Sequence, residues 1–318
     1  MTRHGAVPPP HAARLNHMRH IRRLLLLSAI LVALLIVQPA SARTREYWIA
    51  AVPQAAWNIV PNGQDAVTST QFDPTETTVD TVVYRRFTPH WRKMLPAEYG
   101  GIPGPTIHAR VGDVVLVHFL NLDLNTPHSM HFHGVHYAFP SDGSYIPGFS
   151  GPGANVKPGK SFTYRLVAGR DSVGVWPYHD HSPSMMDSIQ GGMYGALSIL
   201  GRRERAPDRE FVVFLESMGG FMTIDGRAFI GNTPVFHARV GDLVQWDVLA
   251  LGDEHHTFHV HGHRWLEHRT PVDVQTVGPA ESFRIRWRED RAGTWYYHCH
   301  VESHMANGMI GLYRVRRR

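Results

Sequence analysis

The chain repeats itself, and this limits its possible folds more than any other feature of the sequence. Pro105-Thr-Ile-His-Ala-Arg-Val-Gly-Asp113 is matched by Pro234-Val-Phe-His-Ala-Arg-Val-Gly-Asp242, and His131-Phe-His133-Gly by His259-Val-His261-Gly. Pro158-Gly-Lys-Ser-Phe162 loosely matches Gly278-Pro-Ala-Glu-Ser-Phe283. Gly174-Val-Trp-Pro-Tyr-His-Asp-His181 is matched by Gly293-Thr-Trp-Tyr-Tyr-His-Cys-His300, and Gly192-Met193-Tyr-Gly195 by Gly308-Met309-Ile-Gly311. The offset drifts from 129 to 119 to 116 along the chain, always in the same order. Ordered self-similarity of this kind indicates two related units. The join is expected near Gly201–Asp208, with domains over residues 43–204 and 205–318.

Each unit reads as β structure. Val114–Leu120, Ser161–Leu166, Glu210–Leu215, Asp242–Val248 and Ser282–Trp287 are short runs rich in β-branched and aromatic residues, bounded by Gly, Pro and Asp. No segment past residue 42 carries a long helical period. Short strands at this spacing predict antiparallel sandwiches.

Four His-x-His pairs occupy matched places: His131/His133, His179/His181, His259/His261 and His298/His300. On a strand, alternate side chains share a face, so each pair projects to one side and each unit offers four imidazoles. Neutral imidazole suits copper, zinc, iron and nickel. The single cysteine, Cys299, lies between His298 and His300 and points the other way, with His304 five residues on and Met309 five beyond that. Two histidines, a thiolate and a weak axial Met form the ligand set of a blue copper electron-transfer site. The second histidine must come from elsewhere. His256 is the choice and its neighbour His255 the rival. Two metal sites wired through the backbone at Cys299 are therefore expected. In the first unit His128 stands in the place of His256 and Met193 in that of Met309. Asp180 replaces the cysteine, and no histidine matches His304, so no blue site is expected there. A hard-metal site at His128 and Asp180 is the lesser alternative.

Leu24 to Val37 is an apolar run of fourteen residues, preceded by Arg19, Arg22 and Arg23 and followed by Ala40-Ser41-Ala42. It reads as a signal segment over residues 1–42, of twin-arginine or general secretory type. The run is too short for an ordinary membrane span. Met18, just ahead of the basic cluster, is an alternative start. Export to the periplasm or the extracellular space is expected, without stable membrane insertion. The leader holds five arginines and no acid, so its removal takes 32 basic and 27 acidic residues to 27 of each. The basic balance of the whole chain therefore makes no case for nucleic acid. A lone cysteine in an exported chain is a free thiol or a metal ligand, and its flanking histidines favour the ligand.

The motifs His131-x-His133-Gly, Tyr178-His179-x-His181, His256-Thr-Phe-His259-x-His261-Gly-His and His298-Cys299-His300-x₃-His304-x₄-Met309 resemble those of two-domain bacterial laccases, the small-laccase type of multicopper oxidase. The resemblance covers almost all of the chain after the leader. It implies two cupredoxin-like Greek-key β-sandwich domains and four coppers per chain. Type 1 copper would lie on Cys299, His256 and His304 with Met309 axial. Type 2 copper would lie on His131 and His259, and the type 3 pair on His133, His179, His181, His261, His298 and His300. The trinuclear cluster would lie between subunits of a homotrimer. Small-molecule donors, phenols among them, would supply electrons, and O2 would be reduced to water. The resemblance also puts Asp142 and Tyr137 near the cluster, Asp142 as a proton relay and Tyr137 in redox or hydrogen-bonding support. Their bland alternatives are a turn and a packing residue. One rival is a copper nitrite reductase, which would leave three imidazole pairs idle. The other is an oxidase of cuprous ions, to which Met185, Met186, Met193, Met218, Met222 and Met305 would offer thioethers.

Overall fold

The computed structural model describes residues 43–318. The expected signal segment, residues 1–42, lies outside the described residues. The five sequence-derived strands form with bounds within a few residues of expectation: Val114–Asn121, Ser161–Val167, Arg209–Met218, Leu243–Ala250 and Ser282–Arg288. The longest helix among the described residues, Met185–Gln190, has six residues. No described helix is long and apolar enough to cross a membrane.

The strands build two cupredoxin-like sandwiches, and the duplication recurs in their topology. One sheet of the N-terminal sandwich runs Ile107–Arg110, Tyr194–Leu200, Gly174–His179, His131–Phe132. Its counterpart in the C-terminal sandwich runs Val235–Arg239, Ile310–Arg316, Gly293–Cys299, His256–Val260, with Val274–Val277 added at the edge. In the facing sheets, Thr44–Asn58 lies parallel to Val114–Asn121 as Arg209–Met218 lies parallel to Leu243–Ala250. Antiparallel Ser161–Val167 and Ser282–Arg288 follow in turn.

The shared Arg-Val-Gly-Asp motif is a turn with a physical reason for its residues. The Asp113 carboxylate accepts from Arg110 N–H at 3.1 Å, as Asp242 accepts from Arg239 at 2.9 Å. Gly112 and Gly241 hold φ of 97° and 91°, a backbone region that glycine adopts at least cost. This turn carries the chain from one sheet of each sandwich to the other.

Each sandwich closes over its own aromatic core. Phe119, Phe132, Tyr164 and Tyr178 fill the first, and Trp246, Phe258, Tyr297 and Tyr313 the second. A third cluster joins the two, with Trp57, Ile102, Tyr194, Phe214 and Leu249 at its centre. The polar seam beside it is satisfied: Arg284 pairs with the buried Asp247 at 2.8 Å and donates to Ile199 C=O at 2.9 Å.

Candidate metal centres

Strand register delivers the histidines. His131 pairs with His179 across one sheet and His259 with His298 across the other. The His-x-His alternation then brings His133 and His181, and His261 and His300, to the same faces. The result is two matched quartets. His133 and His179 Nε2 stand 3.2 Å apart, and His261 and His298 Nε2 3.1 Å apart. The His131 ring lies 5.4 Å from that of His181, and His259 5.6 Å from His300.

Backbone carbonyls set the tautomers. His131 Nδ1–H donates to Asp142 C=O at 2.7 Å and His259 Nδ1–H to Asp273 C=O at 2.6 Å. His179 donates to Asp180 C=O at 2.9 Å, and His298 to Cys299 C=O at 2.8 Å. With Nδ1–H committed outward, each Nε2 lone pair is left facing its neighbours, as metal-ligating histidines require. Burial and the adjoining imidazoles push His133 down to about 4, and burial pushes His298 to about 4 and His179 to about 3. Neutral lone pairs turned on one another repel, and a shared cation removes that conflict. Two nitrogens each about 2.0 Å from one ion at a tetrahedral angle stand roughly 3.3 Å apart, close to the spacing found. The quartets fit metal.

The Cys299 set fits it equally well. His256 Nδ1 and His304 Nδ1 lie 3.1 Å apart, and Cys299 Sγ is 3.8 and 3.7 Å from them. His256 and Cys299 are fully buried. His255 is exposed, so His256 is the histidine brought to the thiol. Met309 is fully buried beside them, its carbonyl accepting Cys299 N–H at 3.1 Å. Burial lowers His256 to about 4 and raises the Cys299 thiol. A metal binding here displaces the thiol proton and takes neutral imidazoles.

The corresponding place in the first sandwich is filled differently. His128 is held between two buried carboxylates, Asp180 at 3.0 Å and Asp123 at 3.1 Å. Asp180 also accepts from Ser129 N–H at 2.8 Å and the Ser182 hydroxyl at 2.8 Å. The two carboxylates bind opposite nitrogens of the ring, and no group of three converging ligands forms here among the described residues. Asp123 was not legible from the ligand motifs, because its role depends on a loop folding back.

Asp142 sits beside His131 through its carbonyl, while its carboxylate oxygen is 3.7 Å from His131 Nδ1. The carboxylate also accepts from Ser144 N–H at 3.3 Å, a turn contact. The Tyr137 ring stands edge-on to His131 at 6.2 Å, and burial with the nearby Asp142 pushes its phenol up to about 12. Met193 and Met218 are buried core residues, whereas Met185 and Met186 line the cavity at the first quartet. One acidic neighbour was missed: Glu254 Oε2 lies 3.6 Å from His304 Nε2.

Two family models described as multicopper oxidase match the chain, one over residues 84–204 and the other over 204–318. A probable nitrite reductase-hydroxylamine oxidoreductase fusion protein of Kuenenia stuttgartiensis is 32% identical over 251 residues, covering 71% of this chain and 29% of that protein. The human ferroxidase HEPHL1 is 28% identical over an alignment of 344 positions, covering 86% of this chain and 29% of its own length. The chain thus spans less than a third of these relatives. Among solved structures, a multicopper oxidase superposes with a TM-score of 0.67 at 25% identity, over 86% of this chain and 89% of that one. A copper nitrite reductase from Nitrosomonas europaea shares the fold, with a TM-score of 0.64 at 19% identity over 86% and 94%. Residues 84–318, which the two family models take in together, hold both quartets and the Cys299 set: the chain belongs to the multicopper oxidase family.

Proposed function

We propose that the chain is a laccase-type multicopper oxidase of two domains, residues 43–204 and 205–318, that oxidises phenols or other small donors and reduces O2 to water. The observation that carries this reading is the pair of imidazole quartets standing in addition to the Cys299 set. When bound, four coppers supply one-electron uptake at the type 1 centre and four-electron reduction of dioxygen at the type 2 and type 3 centres. His256, Cys299, His304 and Met309 would hold type 1 copper, and His131 and His259 type 2. His133, His179, His181, His261, His298 and His300 would hold the type 3 pair. Cys299 is bonded through the backbone to His298 and His300, which gives electrons a short covalent path. The carbonyls of Asp142 and Asp273 orient the type 2 imidazoles. The Asp142 carboxylate would relay protons, with the Tyr137 phenol beside it.

Among the described residues, no hydrogen bond, ring contact or three-donor group joins one quartet to the other. Half of the C-terminal quartet, His261 and His300, is exposed. Both facts support a cluster completed by a second copy of the chain, closing a homotrimer. The leader supports export.

A second reading has one observation in its favour. Glu254, with the exposed Asp253 beside it, puts negative charge at the His304 edge where electrons would enter. That suits a cationic donor such as a cuprous or ferrous ion, and two relatives, the human and mouse HEPHL1 proteins, are named ferroxidases. A nitrite reductase would use one mononuclear centre and leave most of the quartets idle.

The test is metal analysis of the copper-replete protein. About four coppers per chain are expected under this reading, whereas two would overturn it and make nitrite the substrate to try.

A further inference from the structure

Reduction of one O2 consumes four protons, and imidazoles held on metal do not supply them. Asp142 stands on one side of the N-terminal quartet. The other wall of that cavity, about 290 Å³ in volume, comes from the C-terminal sandwich and includes Leu251, Gly252 and Asp253. Behind Gly252 lies Glu216, on strand Arg209–Met218 and only 2% exposed. A Cβ at Gly252 would strike Glu216 Oε1 and stand 3.0 Å from Oε2, so the carboxyl packs against a glycine of the cavity wall.

Glu216 Oε1 accepts from Ser217 N–H at 3.0 Å and from the Ser217 hydroxyl at 3.4 Å. Oε2 is buried without a hydrogen-bond partner among the described residues. An unpaired buried carboxyl is costly, and a site with only a structural task would satisfy it or replace it with an apolar residue. The titratable groups that face it are Asp253 and Glu254 on the loop and Tyr194 on strand Tyr194–Leu200. No cation pairs with it among the described residues.

We infer that Glu216 is a proton-loading residue for dioxygen reduction, passing protons by way of Gly252 and Asp253 into the histidine-lined cavity. The inference rests on the oxidase reading above. Four electrons come from the donor, and each transfer breaks the Glu216 O–H bond and forms one on Asp253. Asp253 releases that proton to oxygen derived from O2, and four such protons complete two waters. A proton from solvent restores the Glu216 carboxyl after each transfer. Burial, with Asp253 and Glu254 nearby, pushes Glu216 up to about 8, so it carries its proton at neutral pH and loses it as pH rises.

The experiment measures O2 uptake by the copper-loaded full chain against pH, in H2O and D2O, with ferrocyanide, a donor that releases no proton. Wild-type turnover is expected to fall as pH rises through about 8 and to show a solvent isotope effect. Glu216→Gln is expected to slow the oxidative half-reaction relative to the reductive one by roughly tenfold or more and to abolish the alkaline limb. Glu216→Asp is expected to keep a displaced limb. An unchanged limb and isotope effect in Glu216→Gln overturn the inference while leaving the oxidase reading intact. If Glu216→Gln fails to load copper, Asp253→Asn is read instead, and an unchanged limb there has the same force. No O2 uptake by copper-loaded wild type overturns the oxidase reading and this inference with it.

Discussion

Glu289 shows how one residue secures the chemistry next to it. Its carboxylate, 1% exposed, accepts from Tyr313 O–H at 2.7 Å and Trp287 Nε1–H at 3.1 Å, and lies 3.2 Å from His263 Nε2. The other nitrogen of His263 donates to His261 C=O at 2.8 Å, so the network ends on the backbone of a quartet residue. Burial alone would raise the Glu289 carboxyl, but these donors more than offset that and hold it down to about 2, against an ordinary value of 4.5. A depressed carboxylate stabilises the fold above its ordinary pKa, and the contribution fades as pH falls toward the folded value. Glu289→Gln is therefore expected to lose about 1–3 kcal/mol near pH 7. The gap to wild type should close from pH 4.5 toward pH 2, as thermal melts across that range would reveal.

At the scale of elements, the strand Gly293–Cys299 and its partner Ile310–Arg316 set the geometry of the Cys299 set. Gly311 lies opposite Tyr297 in register, and a Cβ there would strike the Tyr297 ring. Gly195 and Tyr178 repeat this close approach in the first sandwich. Each tyrosine needs the space, because its hydroxyl reaches a proline carbonyl in the next strand's approach: Tyr297 to Pro234 at 2.7 Å and Tyr178 to Pro105 at 2.6 Å. Gly311→Ala forces the ring away and overpacks the core, an error that costs roughly 1–3 kcal/mol. Because Tyr297 adjoins His298 and Cys299, the substitution is expected to weaken the blue absorption of the copper-loaded protein as well as its stability. Gly195→Ala is expected to destabilise by a similar amount and leave that absorption in place, and paired denaturation and visible spectra would distinguish the two.

For the whole molecule, the decisive question is which chain completes each quartet. A cavity lined by all four N-terminal histidines contains none of the C-terminal four, and His259 lines a separate cleft of about 550 Å³. If clusters form between copies, His133→Ala and His261→Ala each abolish O2 uptake alone. Co-assembled, they restore about a quarter of the wild-type level, because random mixing pairs an intact first quartet with an intact second one at that frequency in a heterologous ring. Zero recovery in verified mixed assemblies would place the cluster within one chain.

The sequence by itself determined the fold class, the duplication and the histidines and cysteine that the candidate sites bring together. These are local or periodic properties: strand alternation puts His-x-His on one face, and the ordered repeat can be counted without coordinates. The sequence favours His256 over His255, and the structure adds the physical reason: the His256 ring lies 3.8 Å from Cys299 Sγ, whereas His255 is exposed. Other features belong wholly to tertiary structure. The clamp on His128 joins Asp123 and Asp180, which lie 5 and 52 residues from it. Asp142 reaches His131 through a carbonyl that every residue possesses, so no side-chain motif could signal it. Glu216 and Gly252 meet only because two strands pack beside a loop, and burial then gives an ordinary glutamate its unusual proton affinity. Residue identity sets which chemistry is available, whereas long-range packing decides which groups meet and how water is excluded from them.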